Sequence, residues 1–242
     1  MKKFLMLKKE FRSLADIKQA GILQRFFKTG PGQYGEGDLF LGIKVPVQRK
    51  LAKKYADLEM SWIERLLNSP IHEHRLTSLF ILISQFNKAD SQTQKDIFNF
   101  YIEYSKRINN WDLVDLSAPN IVGKYLVDKK VKELKILDRL AVSHNLWERR
   151  IAILATFEFI KLGKSDLTFR IAQKLLKDKE DLIHKAVGWM LREVGKRIGE
   201  AEEEKFLLPH YQSMPRTMLR YAIERFPEAK RKKYLRGKIG LK

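Results

Sequence analysis

Residues 73–86 read EHRLTSLFILISQF, and the apolar side chains in this stretch recur at intervals of three and four residues. They form one stripe, made of Leu76, Leu79, Phe80, Ile83 and Phe86. This spacing is typical of an amphipathic helix that packs against its neighbours along one face. We therefore predict a helix over this stretch.

The same spacing returns along most of the chain and predicts further helices at residues 91–106, 131–142, 147–162, 167–177, 182–196 and 216–226. Ser91 is the expected N-cap of the second helix. Only the segment from Leu39 to Val45 has strand character, and it lacks companions with which to form a sheet. The fold class we predict is all-α.

Short helices in regular succession suggest a repeated unit. When the segments beginning His74-Arg75, Arg149-Arg150 and His184-Lys185 are aligned, Arg75, Arg150 and Lys185 occupy one repeat position. Their gaps of 75 and 35 residues fit a helix-pair unit with a period of roughly 35 to 45 residues, and a missing copy is expected near residue 112. We predict an α-solenoid with a basic stripe on its concave face. Because basic residues are frequent here, chance alignment is the alternative.

The chain carries 48 Lys and Arg against 29 Asp and Glu, a net charge of +19. Such an excess indicates a polyanionic partner, and charge alone does not separate DNA from RNA or anionic lipid. We expect one domain over residues 1–242, in which residues 229–242 form a basic, partly disordered tail. The tail's basic residues are Lys230, Arg231, Lys232, Lys233, Arg236, Lys238 and Lys242.

The 242 residues include no cysteine, which excludes disulfides, thiol catalysis, cysteine-ligated zinc and iron–sulfur clusters and suits a reducing compartment. The apolar run near the start is too short for a signal peptide, and no stretch is long enough to cross a bilayer. We expect a soluble, cytoplasmic protein that does not bind membranes.

Two motifs that often carry chemistry are better explained as structure. Gly30 to Gly35 spells G-x-G-x-x-G, but this fingerprint binds dinucleotides only between a strand and a helix, and a helix precedes it here. We expect a structured loop and no cofactor. The histidines show no metal-binding spacing, so we expect no metal site; they are His72, His74, His144, His184 and His210.

The sharpest cluster lies where the missing repeat copy is expected, in Asn110-Trp111-Asp112-Leu113-Val114-Asp115. Trp111 and Asp115 are four residues apart, so they share one face of a helix. Taken alone, this pair also fits a core aromatic residue and a capping acid.

Other segments give this cluster a context: Trp147-Glu148-Arg149-Arg150, Gly188-Trp189-Met190-Leu191-Arg192, the Gly30 to Gly37 loop, Leu41 to Pro46, and Met214 to Ala222. With them, the chain resembles the AlkD-like DNA alkylation repair family from about residue 20 to about residue 228. The resemblance implies a HEAT-like helical-repeat fold. It also implies a DNA glycosylase that removes cationic alkylated purines, such as 3-methyladenine and 7-methylguanine, from double-stranded DNA.

In that family two tryptophans and an aspartate line the site beside the lesion's deoxyribose, and an arginine contacts the DNA backbone. The matching positions are Trp111, Asp115 and Trp189, with Arg150 as the arginine and Arg149 as the alternative. Arg75, Lys185 and Arg192 are further candidates for phosphate contacts. The motif contains no lysine, so we expect a water nucleophile and an abasic-site product. A monomer is expected of a solenoid that wraps one duplex.

Two other readings of the sequence remain open. A non-catalytic helical-repeat protein that binds DNA or RNA explains the charge equally well, but not the two tryptophans and the acid. An adaptor for acidic proteins explains the repeats and leaves the Trp111–Asp115 pair as coincidence.

Overall fold

The computed structural model describes residues 1–239, which contain helices and no strand. The all-α prediction is thereby confirmed. The chain divides into two compact units, Met1–Leu113 and the residues from Val114 onward, and the division falls within one helix. No helix in the described part combines the length and the apolar character that crossing a membrane requires.

The first unit contains α1 (Lys2–Ser13), α2 (Ile17–Phe26), α3 (Val45–Lys54), α4 (Met60–Leu67), α5 (His72–Phe86), α6 (Ser91–Glu103), a 3₁₀ turn (Ser105–Arg107) and the start of α7 (Trp111–Ser117). The second contains the rest of α7, a π-helical turn (Ala118–Gly123), α8 (Lys124–Leu126), α9 (Val131–Ala141), α10 (Leu146–Ala155), α11 (Phe157–Lys161), α12 (Asp166–Leu175), α13 (Asp181–Arg197), α14 (Glu200–His210), α15 (Arg216–Ala222), a 3₁₀ turn (Ile223–Arg225) and α16 (Glu228–Leu235).

Two expectations about helix boundaries need correction. The N-cap of α6 is Asp90, whose carboxylate accepts the Thr93 N–H, so Ser91 is the first helical residue instead of the cap. The helix expected over 147–162 breaks into α10 and α11 at Thr156, whose hydroxyl donates to the Ile153 carbonyl. Such a side-chain bond to the preceding turn competes with the helical ladder.

Part of the basic segment after Glu228 is helical. Residues Glu228–Leu235 form α16, and Tyr234 of this helix is buried. The last residues of the predicted tail, 240–242, lie outside the described residues. Partial disorder of residues 229–242 stays a prediction.

The first unit is organised around α5, which is buried on nearly every side. The Glu73 carboxylate at its start accepts the backbone N–H groups of Leu41, Gly42 and Ile43 at 2.8–3.2 Å. These bonds fix the segment in which we saw strand character. Its strand-like contact is a single parallel bridge between Leu39 and Ile71.

Helix α2 contrasts with α5 because none of its residues is buried. Its first turn is held by Asp16, which caps the helix by accepting the Gln19 N–H and whose own N–H donates to the Leu41 carbonyl. Gly42 makes this approach possible: its φ is +82°, and a Cβ there would lie 2.1 Å from the Asp16 carbonyl oxygen. The apolar Ile17, Ile22 and Phe26 side chains remain exposed.

In the second unit, α7 continues into a π-helical turn at Ala118–Gly123. Pro119 has no N–H to donate to the carbonyl of Asp115, so the regular α-helical ladder is interrupted there. The Asn120 side chain donates to the Leu116 carbonyl at 2.8 Å and satisfies that acceptor. The irregular turn thus begins at Ala118, three residues after Asp115, and π-turns inside helices are frequent at functional sites.

Helices α13 and α15 of the second unit pack very closely at Gly188. A Cβ at this position would lie 2.4 Å from the Met218 carbonyl oxygen and 2.5 Å from the Tyr221 Cβ. Glycine is therefore required for the contact, and it fixes the helix turn that carries Trp189.

We expect Gly188→Ala to lower the free energy of unfolding by about 2 kcal/mol, because the added methyl group forces α13 and α15 apart. Chemical unfolding measures the change. Gly21→Ala is the matched control: it also adds a methyl group to a helix, but the space within 4 Å of that methyl group is open, so stability should stay equal or rise. Equal stability of Gly188→Ala and wild type would contradict the close packing.

Candidate functional site

Asp115 lies on α7 and forms a two-pronged ion pair with Arg150 of α10. Arg150 Nε and the second terminal nitrogen donate to the two carboxylate oxygens, each at 2.8 Å. The remaining terminal nitrogen donates to the Leu182 carbonyl at the start of α13. A planar guanidinium that binds both oxygens fixes the plane of the carboxylate as well as its position.

Burial strengthens this pair. The Arg150 side chain is 6% exposed, while that of Asp115 keeps 19% of its surface accessible. The arginine is therefore largely enclosed, and the carboxylate retains an edge that solvent or a ligand can reach. Such an arrangement suits a carboxylate that acts on a bound ligand while an arginine fixes its position.

The other predicted DNA-binding residues of the second unit also have acidic partners. Arg149 pairs with Asp178 at 2.6 Å, Lys185 pairs with Asp181 at 2.8 Å, and Arg192 pairs with Glu224. Their roles toward DNA stay predictions. Helix α13 places Lys185, Trp189 and Arg192 four and three residues apart, so the three share one face.

Trp111 begins α7 and is surrounded by aromatic rings of the first unit. Its indole N–H donates to the Tyr34 hydroxyl at 3.1 Å, and its ring centroid lies 5.4 Å from that of Phe27 and 5.9 Å from that of Phe26. The glycine loop therefore has a structural role: it carries the tyrosine that receives the indole hydrogen bond.

Four charged side chains near Trp111 form a network, of which Asp38, His72 and Arg75 are buried and Asp112 is partly exposed. His72 Nε2 is 2.8 Å from an Asp112 carboxylate oxygen, and His72 Nδ1 is 3.5 Å from Asp38. Arg75 pairs with the same Asp38 oxygen at 2.6 Å. We call these residues, Asp38, His72, Arg75 and Asp112, the buried ion network.

This network changes the expectation for Arg75, which we placed on a basic stripe facing DNA. Its side chain is 4% exposed and lies between Asp38 and the Ser69 carbonyl, to which it donates at 2.9 Å. A guanidinium enclosed in this way contributes to the interior of the first unit. A phosphate contact from Arg75 is not supported by this placement.

The pKa values of the two histidines at the start of α5, His72 and His74, are shifted in opposite directions. For His72, burial disfavours the imidazolium, but the charge and hydrogen bond of Asp112 and the hydrogen bond of Asp38 outweigh it and raise the pKa to about 9. For His74, burial is not offset by any acid, and the pKa falls to about 4. At neutral pH, His72 is charged and His74 is neutral.

The raised pKa makes the stability of the protein depend on pH. The stabilisation from protonated His72 is complete below its ordinary pKa of 6.5 and is lost as the pH rises through about 9. We expect the free energy of unfolding to fall across this interval, and His72→Gln to remove that part of the decline. Urea unfolding at a series of pH values measures both slopes.

His144→Gln is the control, since His144 is exposed and its replacement should leave the wild-type slope. Equal slopes for His72→Gln and wild type would show that His72 does not carry the effect.

Several residues of this region were not singled out by sequence reasoning: Tyr34, Asp38, Phe26, Phe27, Phe40 and the pairing of His72 with Asp112. Position gave a partial signal, because Tyr34 and Asp38 lie in and just after the glycine loop. Nothing in the spacing linked that loop to Trp111, which is 77 residues from Tyr34. Within the described residues, no group of three or more potential ligand side chains is arranged to hold a metal ion.

Comparison with known proteins now identifies the family. A sequence profile of the DNA alkylation repair enzymes matches residues 7–226. Because the match spans most of the sequence, the chain belongs to the DNA alkylation repair enzyme family, which indicates a role in DNA repair. Among solved structures, a protein from Enterococcus faecalis described as a predicted DNA alkylation repair enzyme aligns with a TM-score of 0.67. The two share 16% identity over 88% of this chain and 97% of that one, so the likeness concerns the fold. No curated protein matches the sequence.

Proposed function

We propose that this protein is a monofunctional DNA glycosylase of the AlkD-like type, which hydrolyses the N-glycosidic bond of cationic alkylated purines in double-stranded DNA. The observation that carries the proposal is the Asp115 carboxylate, held by Arg150 and partly exposed, in a chain of the DNA alkylation repair family. The substrates we propose are 3-methyladenine and 7-methylguanine lesions, and the product is an abasic site.

The charge of the lesion explains why one carboxylate is enough. An N3- or N7-alkylated purine is already positively charged, so it leaves without protonation by a general acid. When the bond to C1′ breaks, its electron pair goes to the base, which becomes neutral. The developing positive charge moves onto the deoxyribose.

Asp115 is the residue we assign to that charge. A carboxylate fixed beside the sugar stabilises the oxocarbenium-like transition state more than the ground state. Water then forms the new bond to C1′, and Asp115 accepts the proton that the water loses and passes it to solvent. Because Arg150 holds both oxygens, little reorientation is needed during the reaction.

Trp111 and Trp189 are the aromatic residues we assign to the sugar. An indole face attracts a cation, and each contact contributes about 0.5 to 2 kcal/mol. The Tyr34 hydrogen bond fixes the Trp111 ring, and the tight Gly188 contact fixes the helix turn of Trp189. Rings that are already oriented lose little entropy when the substrate binds.

We further propose that the helices form a solenoid of HEAT-like repeats, with a concave basic face that binds the DNA backbone as a monomer. Lys185, Arg192 and either Arg149 or Arg150 would contact phosphates there. The alternative function is binding of DNA or RNA without cleavage. The net charge of +19 favours it as strongly, and only an activity measurement separates the two.

We expect Asp115→Asn to reduce the release of 7-methylguanine from methylated duplex DNA by at least about 100-fold, because the neutral amide does not stabilise the sugar cation. Affinity for DNA should stay within a few-fold of wild type. Chromatography of the released bases measures the loss. Asp138→Asn is the control, since Asp138 also pairs with a cation, Arg170, at 3.2 Å. Unchanged excision by Asp115→Asn would refute the mechanism, and no release by wild type would favour the binding-only function.

Arg150→Ala separates two roles of one side chain. Loss of its grip on Asp115 should lower excision, and loss of a phosphate contact should flatten the dependence of log affinity on log salt by about 0.9 per contact. Fluorescence anisotropy at several salt concentrations measures this slope. Arg149→Ala, made in parallel, tests the neighbouring arginine. If Arg150→Ala shows the same salt dependence of affinity as wild type, Arg150 does not contact a phosphate and its role is limited to positioning Asp115.

A further inference from the structure

The first unit contains an apolar cavity of about 340 Å³, and Trp111 is the one residue of its lining to which the proposed mechanism gives a role. Aromatic rings form much of its wall, from Phe26, Phe27, Phe40, His72 and Trp111. An engineered protein cavity of about 150 Å³ holds a benzene ring. The larger volume here therefore accommodates a two-ring base.

The wall rings favour a flat ligand. Phe27 and Phe40 are stacked with centroids 5.3 Å apart, and Phe40 stacks on His72 at 4.7 Å. The remaining surface includes the aliphatic Leu23, Ile43 and Val45. Flat aromatic rings and aliphatic side chains together bind a planar, largely apolar ring in preference to a flexible or strongly hydrated molecule.

The charges around the cavity favour a neutral ligand over a cation. Its acidic residues are already engaged, because Glu73 accepts three backbone N–H groups and Asp112 pairs with His72. His72 itself is held as a cation by Asp112 and Asp38. Lys44 belongs to the same lining. The carboxylates of Glu73 and Asp112 are directed to these partners, so a positively charged ring would lose its hydration in the apolar cavity without gaining an ion pair.

We propose that this cavity binds the neutral purine base released by the reaction. The inference rests on the proposed function for the identity of the ligand: the alkylated purine is a cation in DNA and becomes neutral when its bond to C1′ breaks. A site that accepts the neutral base and disfavours the cation distinguishes product from substrate by charge. The polar edge of the base would meet the carboxamide of Gln19 on the cavity lining.

Helix α2 supplies the least buried part of the wall. It contributes Gln19, Leu23 and Phe26 to the cavity, none of its residues is buried, and Phe26 is 59% exposed. A ligand that stacks on Phe26 would cover this surface. The exposed ring is thus both the accessible edge of the site and the residue to change.

Equilibrium dialysis of the full chain with 7-methylguanine tests the proposal. We expect saturable binding, weakened at least about fivefold by Phe26→Ala through loss of one stacking partner. Val45→Trp should also weaken binding, because the indole fills the cavity from an exposed position. Ile22→Ala is the matched control, since Ile22 is exposed on α2 but does not line the cavity, and it should bind as wild type does.

Charge selectivity is tested with two ligands of nearly equal size in mildly acidic buffer, neutral 9-methylguanine and cationic 7,9-dimethylguaninium. We expect the cation to bind at least about tenfold more weakly. Absence of saturable binding of 7-methylguanine, equal binding by wild type, Phe26→Ala and Val45→Trp, or equal binding of the cation would each overturn the proposal.

Base binding and base excision are measured separately, so the two proposals fail separately. Protein that binds the base but releases none from methylated DNA supports the cavity and contradicts the glycosylase. Protein that excises the base but does not bind it contradicts the cavity alone.

Discussion

The pairing of Asp112 with His72 ties the start of α7 to the interior of the first unit. Two acids and two cations meet in the buried ion network, and each charge has an opposite partner within 2.6–3.5 Å. Buried charges are costly unless they are paired, so removing any one member would leave another uncompensated. The position of Trp111 depends on this network, because Asp112 is its immediate neighbour and the Phe27 ring that packs on Trp111 also lies over His72.

In the second unit, the Asp115 carboxylate is likewise held in position by an ion pair. Asp115 precedes a turn in which Pro119 breaks the helical ladder, and Arg150 grips the side chain at both oxygens. One arginine thereby balances the charge of the acid and sets its orientation. A carboxylate bound in this way can stabilise a neighbouring cation without first losing a shell of ordered water, which is the general advantage of a preorganised site.

The sequence predicted α9, α12 and α13 well, because apolar side chains at intervals of three and four leave a clear period. It missed α14, and it predicted a tail where α16 lies. It was less informative where side-chain chemistry overrides that period, as at Thr156 and Asp90. For the site, the Trp111 and Asp115 motif was visible, but the partners of Trp111 were not, since Tyr34 and Phe27 are distant in sequence and have no common spacing. For Arg75 the sequence suggested a wrong environment. Its place in the repeat alignment predicted an exposed residue that contacts DNA, whereas the structure pairs it with Asp38 in the interior.

The absence of buried residues in α2 affects how often this helix opens locally. A helix without a buried residue has few internal anchors, and the N-terminal end of α2 is held by the Asp16–Leu41 backbone bond. Its separation from the rest of the unit breaks few contacts, so such opening occurs far more often than global unfolding. Because α2 carries Gln19, Leu23 and Phe26 of the cavity lining, such local opening would widen access to the aromatic cavity while the buried ion network stays intact.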